Sequence, residues 1–418
     1  MEILFFADNF PPERNAQASR VYERARHWIR WGHRVTVITC APNFPEGQVF
    51  DGYRNRWYQV EEMAGIRVVR VKTFIAANAG TVLRILDFIS FMITGLFAGL
   101  FERRPDVVVV TSPQFFAALG AWALAFVRRL PFVLELSDLW PESIVAVGAM
   151  KRSPAIRMLE KLELFLYRRA LRIVALTEAF KRNLVSRGVD AGKIEVVING
   201  VELEMYSPRD RDQDLALSWG IFPEHFVIGY VGTHGMAHAL DNVLAAAAAT
   251  TDPNLRFLFV GAGAERDKLL KEAERLKLAN VVFVPAQPKE RMPEFWSLCD
   301  VALVHLRDTP LFETVIPSKI FEAMGMGMPI LLAVPKGEAS EVLAKSGAGL
   351  WVQPGDPAAL AEAAEMLHEN RQFCERLKAR SREAAPNHTR ERQAREMLAV
   401  LEQAAGVPAP AKAAAAAG

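Results

Sequence analysis

Cysteine is scarce in this chain: Cys40, Cys299 and Cys374 are the only three in 418 residues. Odd in number and far apart, they lack the close spacing of a metal site and exclude a disulfide-stapled fold, so a reducing compartment is expected. Long apolar runs are wanting too. The cleanest, Phe88–Phe101, covers 14 residues, short of the roughly 20 that a membrane-spanning helix needs. Arg84 and Asp87 interrupt it upstream and Arg103 and Arg104 close it, so it reads as a buried or interfacial helix. The N-terminus, MEILFFADNFPP, has neither a basic leader nor a small-residue cleavage site and reads as a first strand. No GxGxxG follows, which counts against a dinucleotide-binding domain. There are no internal repeats, and net charge is only +2.

What is present suits a globular α/β protein. Half the residues are hydrophobic, and the length suits two domains of about 200 residues each. The charge is unevenly divided. Residues 1–200 carry 27 basic against 19 acidic side chains, a net of +8, while the remainder carries 23 against 29, a net of −6. A basic first half can face phosphate or anionic lipid. Nucleic acid is not an expected partner.

Apolar segments of strand length recur at Glu2–Ala7, Arg34–Cys40, Arg67–Lys72, Asp106–Thr111, Phe132–Leu136, Ile173–Ala175 and Ile194–Ile198. Helical stretches separate them around 18–31, 82–101, 115–128, 155–169 and 178–187. Strands alternating with helices predict a parallel sheet covered on both faces, with ligands at the carboxyl ends of the strands. One such end carries Ser137-Asp138-Leu139-Trp140-Pro141-Glu142-Ser143, where Asp138 and Ser143 either face a ligand or cap the next helix.

The second half repeats the pattern. The strand Phe226–Val231 runs into Gly232-Thr233-His234-Gly235-Met236-Ala237-His238 and a helix from about Leu240, the strand, glycine loop and helix of a phosphate cradle. Leu255–Val260 leads into Gly261-Ala262-Gly263-Ala264-Glu265, and Val281–Val284 into Pro285-Ala286-Gln287-Pro288. The aromatic pair Phe295-Trp296 reads as core. The most informative stretch is LVHLRDTPLFETVIPSKIFEAMGMGMPILLAV, residues 303–334: a strand, a polar loop, a short helix and a second strand. Ser318 is the expected N-cap, which places Lys319 and Glu322 in the first turn, about one turn apart. Free backbone N–H groups and the Lys319 charge attract an anion such as phosphate. The same pattern also suits a capped surface helix.

The segment PSKIFEAMGMGMPIL resembles the donor-binding signature of retaining family 4 glycosyltransferases of the GT-B type. So do the first strand, loop and helix, the G-x-G-x-E segment and the linker Asn199-Gly200-Val201-Glu202 with Tyr206-Ser207-Pro208. The resemblance covers about 390 residues in order. It implies a GT-B fold, two Rossmann-like domains with parallel sheets facing a central cleft: residues 1–207 for the acceptor and 208–386 for a nucleotide-sugar donor. A final helix at about 387–404 is expected to cross back onto the first domain, followed by a disordered tail, 405–418.

By the same resemblance Glu322 holds the ribose hydroxyls of the donor. The family's other glutamate falls on Thr314, one residue from Glu313, and Arg307 precedes both in LRDTPLF. Gly263, Glu265, Ala286 and Gln287 match donor-side segments. The Arg and Lys that relatives place after the first glycine of the 232–235 loop are absent, so Lys319 together with His234 or His238 is expected to meet the diphosphate. Asp138 stands where relatives often carry a His near the transferred sugar. Relatives also have a glycine pair in the first loop, where this chain has Asn15 and Ala16. Anion contacts on the acceptor side are therefore assigned to Arg14 and Arg20, beside Asn15.

The variant Pro-Ser-Lys is similar to the subgroup that transfers N-acetylfucosamine or fucose in bacterial surface polysaccharide synthesis. The expected activity is transfer of an N-acetylated or deoxy hexose from a nucleotide donor, UDP in the first instance. The acceptor would be a polyprenyl-diphosphate-linked saccharide of O-antigen, capsule or exopolysaccharide synthesis. No cofactor or metal is expected, and the location is cytoplasmic, against the anionic inner face of the membrane. The alternatives are a GT-B nucleotide-sugar 2-epimerase and a catalytically inactive sugar-nucleotide scaffold.

Overall fold

The computed structural model describes residues 1–13, 15–44, 46–75, 81–112, 114–142 and 153–407. Two compact units emerge: Met1–Ile198 together with the stretch from Glu391 onward, and Asn199–Arg390.

Unit 1 is built on strands β1 (Glu2–Phe6), β2 (Arg34–Cys40), β3 (Tyr58–Met63), β4 (Ile66–Val71), β5 (Val107–Thr111), β6 (Phe132–Leu136), β7 (Arg172–Ala175) and β8 (Ile194–Val196). They lie in the order β3-β4-β2-β1-β5-β6-β7-β8, parallel throughout except for the antiparallel edge strand β3. The central strands are buried along their length, as their Val- and Ile-rich runs require of a sheet covered on both faces. The described helices are α1 (Ala16–Arg30), α2 (Thr81–Phe101), α3 (Phe115–Arg128), α4 (Pro154–Arg169) and α5 (Glu178–Ser186). Helix α1 begins at Ala16 because the Asn15 side-chain oxygen accepts from the Ala18 amide at 2.9 Å.

Strand β3 was not expected from sequence. Ala64 and Gly65 both take positive φ (51° and 80°) between Met63 and Ile66, which pair across the turn. Two left-handed central residues suit a tight hairpin, and Tyr58–Met63 then zips onto β4.

Unit 2 holds β9 (Phe226–Val231), β10 (Leu255–Val260), β11 (Val281–Val284), β12 (Val301–His305), β13 (Ile330–Ala333) and β14 (Gly349–Val352), all parallel, in the order β11-β10-β9-β12-β13-β14. Helices α6 (Gln213–Ser218), α7 (Asp241–Ala249), α8 (Arg266–Arg275), α9 (Met292–Ser297), α10 (Lys319–Gly325), α11 (Glu338–Ser346), α12 (Pro357–Glu369) and α13 (Arg371–Ala384) complete it. The chain divides at 198/199 rather than 207. Val201 donates to the His388 carbonyl (2.9 Å) and accepts from the Arg390 amide (2.8 Å), which fastens the 199–207 stretch to unit 2.

The last helix, α14 (Arg390–Ala405), belongs to the unit 1 core from Glu391 on. Met397, Leu398 and Leu401 are buried in one cluster with Val21, Ala25 and Trp28 of α1, and Trp28 Nε1 donates to the Ala394 carbonyl at 2.9 Å.

Candidate functional site

Three loops at the carboxyl ends of β9, β10 and β12 meet at Lys319. The 232–235 and 261–265 loops interlock: His234 N donates to the Ala262 carbonyl and Glu265 N to the His234 carbonyl, both at 2.9 Å. The approach is too close for side chains. A Cβ on Gly261 would lie 1.9 Å from the Gly232 oxygen, and one on Gly263 2.3 Å from the His234 oxygen. Gly232, at φ +139°, makes room for the lysine itself, since a Cβ there would fall 2.5 Å from Lys319 Cε.

Lys319 is 9 % exposed, and its ammonium sits 3.7 Å from the centroid of the Tyr230 ring. Tyr230 is fully buried and its hydroxyl donates to the Thr233 carbonyl at 2.7 Å, so the ring is fixed under the cation. Burial pulls the Lys319 pKa from its ordinary 10.5 down to about 7, against the pull of Glu322 in the other direction. Glu322 lies one turn along α10, half-buried, and accepts from Trp296 Nε1 at 3.3 Å. Phe295 and Trp296 are core residues, as expected.

Burial keeps His234, His238 and His305 neutral at pH 7. Burial, reinforced by the charges of Arg266 and Lys319, lowers His234 to about 4; burial and Lys319 lower His238 to about 3. His238 and His305 are tied by reciprocal ring-to-carbonyl contacts of 3.4 and 2.7 Å, and burial lowers His305 to about 4. His234 is wholly buried between Tyr230, Phe259 and Phe283. It therefore packs the two loops together and presents no positive charge to a diphosphate, contrary to expectation. His238 remains half-buried at the loop surface.

Other expected site residues fall into place with corrections. Ser318 precedes α10 but has helical backbone angles and makes no side-chain cap bond; its carbonyl accepts from the Phe321 and Glu322 amides instead. Thr314 donates its hydroxyl to the Leu311 carbonyl at 2.7 Å, inside its own turn, whereas Glu313 is exposed. Arg307 is exposed and its amide donates to the Ala237 carbonyl (2.9 Å), joining the β12 loop to the glycine loop. Thr233 is exposed and Gly235 half-buried beside it. Glu265 turns its carboxylate to Lys268 at 3.0 Å. Ala286 is exposed, and Gln287 donates to the Pro285 carbonyl at 3.2 Å.

On the acceptor side, Arg14 and Ser143 lie outside the described residues. Asn15 is spent as the cap of α1. Arg20 is buried and lies 3.3 Å from Glu135, which also receives the fully buried Arg24 at 2.6 Å. Burial alone would push the Glu135 carboxyl up, but the two arginines overcome it and bring it to about 2. Arg20 is thus part of an internal ion cluster and not an open anion hook. Asp138, half-buried at the end of β6, lines a small, partly open pocket with Ser112, Phe115, Trp140, Glu163 and Tyr167.

Tyr230 and His305 were not singled out from sequence. Their only signal is position: each is the last aromatic or polar group of an apolar strand, at the end where ligands bind.

Residues 15–200 match the family model for a glycosyl transferase 4-like domain, and residues 213–384 that for glycosyl transferases group 1. The chain is a GT-B glycosyltransferase. It is 27 % identical over 335 residues to the putative colanic acid biosynthesis glycosyl transferase WcaI of Escherichia coli, covering 78 % of this chain and 82 % of that one. The probable glycosyltransferase WbjE of Pseudomonas aeruginosa is 27 % identical over 270 residues, 64 % of this chain and 67 % of its own. Among solved structures, Anabaena HepE in complex with UDP superposes with a TM-score of 0.73 at 18 % identity, over 96 % of this chain and all of that one. Sucrose-phosphate synthase from Thermosynechococcus elongatus superposes with a TM-score of 0.76 at 16 % identity, over 97 % of this chain and all of the other. This glycosyltransferase thus shares its whole fold with enzymes of quite different sequence.

Proposed function

We propose that this enzyme transfers a hexose from UDP to a polyprenyl-diphosphate-linked saccharide during synthesis of a bacterial surface polysaccharide such as O-antigen, capsule or exopolysaccharide. The sugar is an N-acetylated or deoxy hexose of the N-acetylfucosamine type, and anomeric configuration is retained. The name of WcaI, a putative colanic acid biosynthesis transferase, supports the polysaccharide setting, and the HepE complex supports UDP. The reaction takes place on the cytoplasmic side of the membrane, where a lipid-linked acceptor presents its head group.

The observation that carries the reading is Lys319 held against Gly232 and the Tyr230 ring, one helical turn from Glu322. When the bond from the sugar to the nucleotide breaks, negative charge grows on the leaving diphosphate. A preplaced ammonium in a water-poor site stabilises that charge far more than one in bulk water. Glu322, oriented by Trp296, is the acceptor for the ribose hydroxyls. Asp138 orients the sugar or the attacking hydroxyl from unit 1. The reading assigns no metal or other cofactor. Neither the epimerase nor the inactive-scaffold alternative is favoured by the relatives.

A thermal-shift panel of UDP-, GDP- and dTDP-sugars tests the donor assignment. A ligand at 100 times its dissociation constant stabilises by about 2.7 kcal/mol, so UDP-sugars should raise Tm distinctly, and no shift with any of the three would refute it.

A further inference from the structure

Helix α2 is apolar all round, yet only one side of it is used by the fold. Its inner side is packed tightly: Phe91 is 1 % exposed, and a Cβ on Gly99 would lie 2.5 Å from Leu124 of α3. A Cβ on Gly120 of α3 would likewise meet the Met92 carbonyl at 2.8 Å. Longer than the 14-residue run read from sequence, Leu83–Phe101 is long and apolar enough to cross a membrane by length and composition, but these contacts build it into unit 1. None of the described residues covers the outer side. Leu83, Leu86, Ile93, Phe97 and Leu100 are exposed at helical spacing and form one stripe, with Phe97 56 % exposed. At the far end Phe101 (83 %) is joined by Phe126 (70 %) and Val127 from the end of α3.

The lower end of this stripe is cationic: Arg103, Arg104 and Arg129 are exposed there and Arg128 is half-buried, with Arg103 paired to Glu2 at 3.5 Å. Arg84, at the other end of α2, stacks over Phe88 on the side away from the stripe. Of the acids near it, Glu102 is buried and bonded to Arg67 and Tyr58, Asp87 is half-buried on the inner side of α2, and Glu2 and Asp106 lie at the lower end, where Glu2 is taken up by Arg34 and Arg103. The upper half of α2 also reaches the ligand end of the sheet. The Ser90 hydroxyl accepts from the Phe74 amide at 2.7 Å, just past β4.

We propose that the outer face of α2 with the end of α3 is a docking surface for an anionic lipid bilayer. This deepens the proposed function by naming the surface through which the enzyme meets its lipid-linked acceptor. The exposed apolar side chains enter the interface, and each arginine beside an anionic surface adds about five-fold in affinity. Charge favours an anionic bilayer over a second copy of this chain as the occupant, because a two-fold contact centred on the arginine-bearing end would set like charges against one another. The upper half of α2 lies beside the loop that follows β4, so a bound acceptor head group need not leave the surface to reach unit 1. The residues that insert are those of the outer stripe; Phe91 belongs to the core and its replacement reports on folding alone.

Flotation on phosphatidylcholine vesicles with and without phosphatidylglycerol tests this, run without nucleotide or acceptor. The parent should float only with the anionic vesicles and less in high salt. Ile93→Glu/Phe97→Glu should lower the bound fraction about ten-fold while keeping Tm and the UDP thermal shift. The milder pair Phe97→Ser/Leu100→Ser and the charge pair Arg103→Ser/Arg104→Ser should each give a partial loss. Overturning results are a parent that stays in solution, a parent that dimerises through this face, or outer-stripe variants that float like the parent or unfold. A parent that shifts with UDP yet never floats would refute the docking surface and leave the donor reading intact; flotation without any nucleotide shift would do the reverse.

Discussion

Removing the charge at Lys319 should abolish a specific pH dependence of nucleotide binding. In the unliganded protein the ammonium has a pKa of about 7 because it is buried. A bound diphosphate supplies the missing counter-charge, so binding draws a proton onto Lys319 wherever the free enzyme has lost it. With a free pKa of about 7, UDP affinity should fall about five-fold between pH 7 and 8, close to 1 kcal/mol, and nearly ten-fold for each further unit. The nucleotide's own second phosphate proton, with a pKa near 6 for such groups, is already lost there and does not mask the effect. Calorimetric titration of UDP in buffers of different ionisation enthalpy measures both affinity and proton uptake. Lys319→Ala should cost about 1.5–3 kcal/mol of affinity at pH 7 and flatten the slope. It should lower turnover further, since the charge on the leaving group grows in the transition state. Lys319→Arg should restore only part of either, because a planar fork does not fill the place of a point charge. Stability should move the opposite way. A lysine whose folded pKa lies below its unfolded 10.5 burdens the folded state below pH 7, so the unliganded protein should gain stability as pH rises from about 7 toward 10.5. An identical affinity slope in parent and Lys319→Ala would refute the reasoning.

Glu322→Ala should weaken UDP binding by about 1–3 kcal/mol, with 2′- or 3′-deoxyribose nucleotides losing much less than UDP does; equal losses would remove Glu322 from the ribose. In unit 1, Glu135→Gln should destabilise by about 3–5 kcal/mol, because it leaves Arg24 buried without its counter-charge; chemical denaturation measures this. The parent's share from Glu135 is present above the carboxyl's ordinary 4.5 and should fade as pH falls toward its folded value of about 2.

Much of this fold is legible because parallel strands buried on both faces must be continuous apolar runs, and those runs were found at nearly every strand of both sheets. Strand β3 escaped because one edge strand, half exposed, needs few apolar residues; Tyr58, Val60 and Met63 alone gave little signal. Helix α2 was placed well along the chain, but not around its own axis. A helix apolar on every side has no polar face to set its phase, so Phe91 in the core and Phe97 on the surface look alike in sequence. At the donor site, Lys319 and Glu322 stand out through their local motif. The Tyr230 ring beneath Lys319 and the neutral state of His234 and His238 depend on contacts between β9, β10 and α10, and no local spacing encodes those.

The most direct measurement of the central claim is mass spectrometry of a polyprenyl-diphosphate-linked saccharide incubated with the enzyme and each of the UDP-, GDP- and dTDP-sugars. The account predicts that the lipid-linked saccharide gains one sugar residue from a UDP donor, that one equivalent of UDP is released, and that Lys319→Ala and Glu322→Ala depress both. A donor that binds but is neither consumed nor transferred to any such acceptor, or one that is epimerised with no acceptor present, would contradict it.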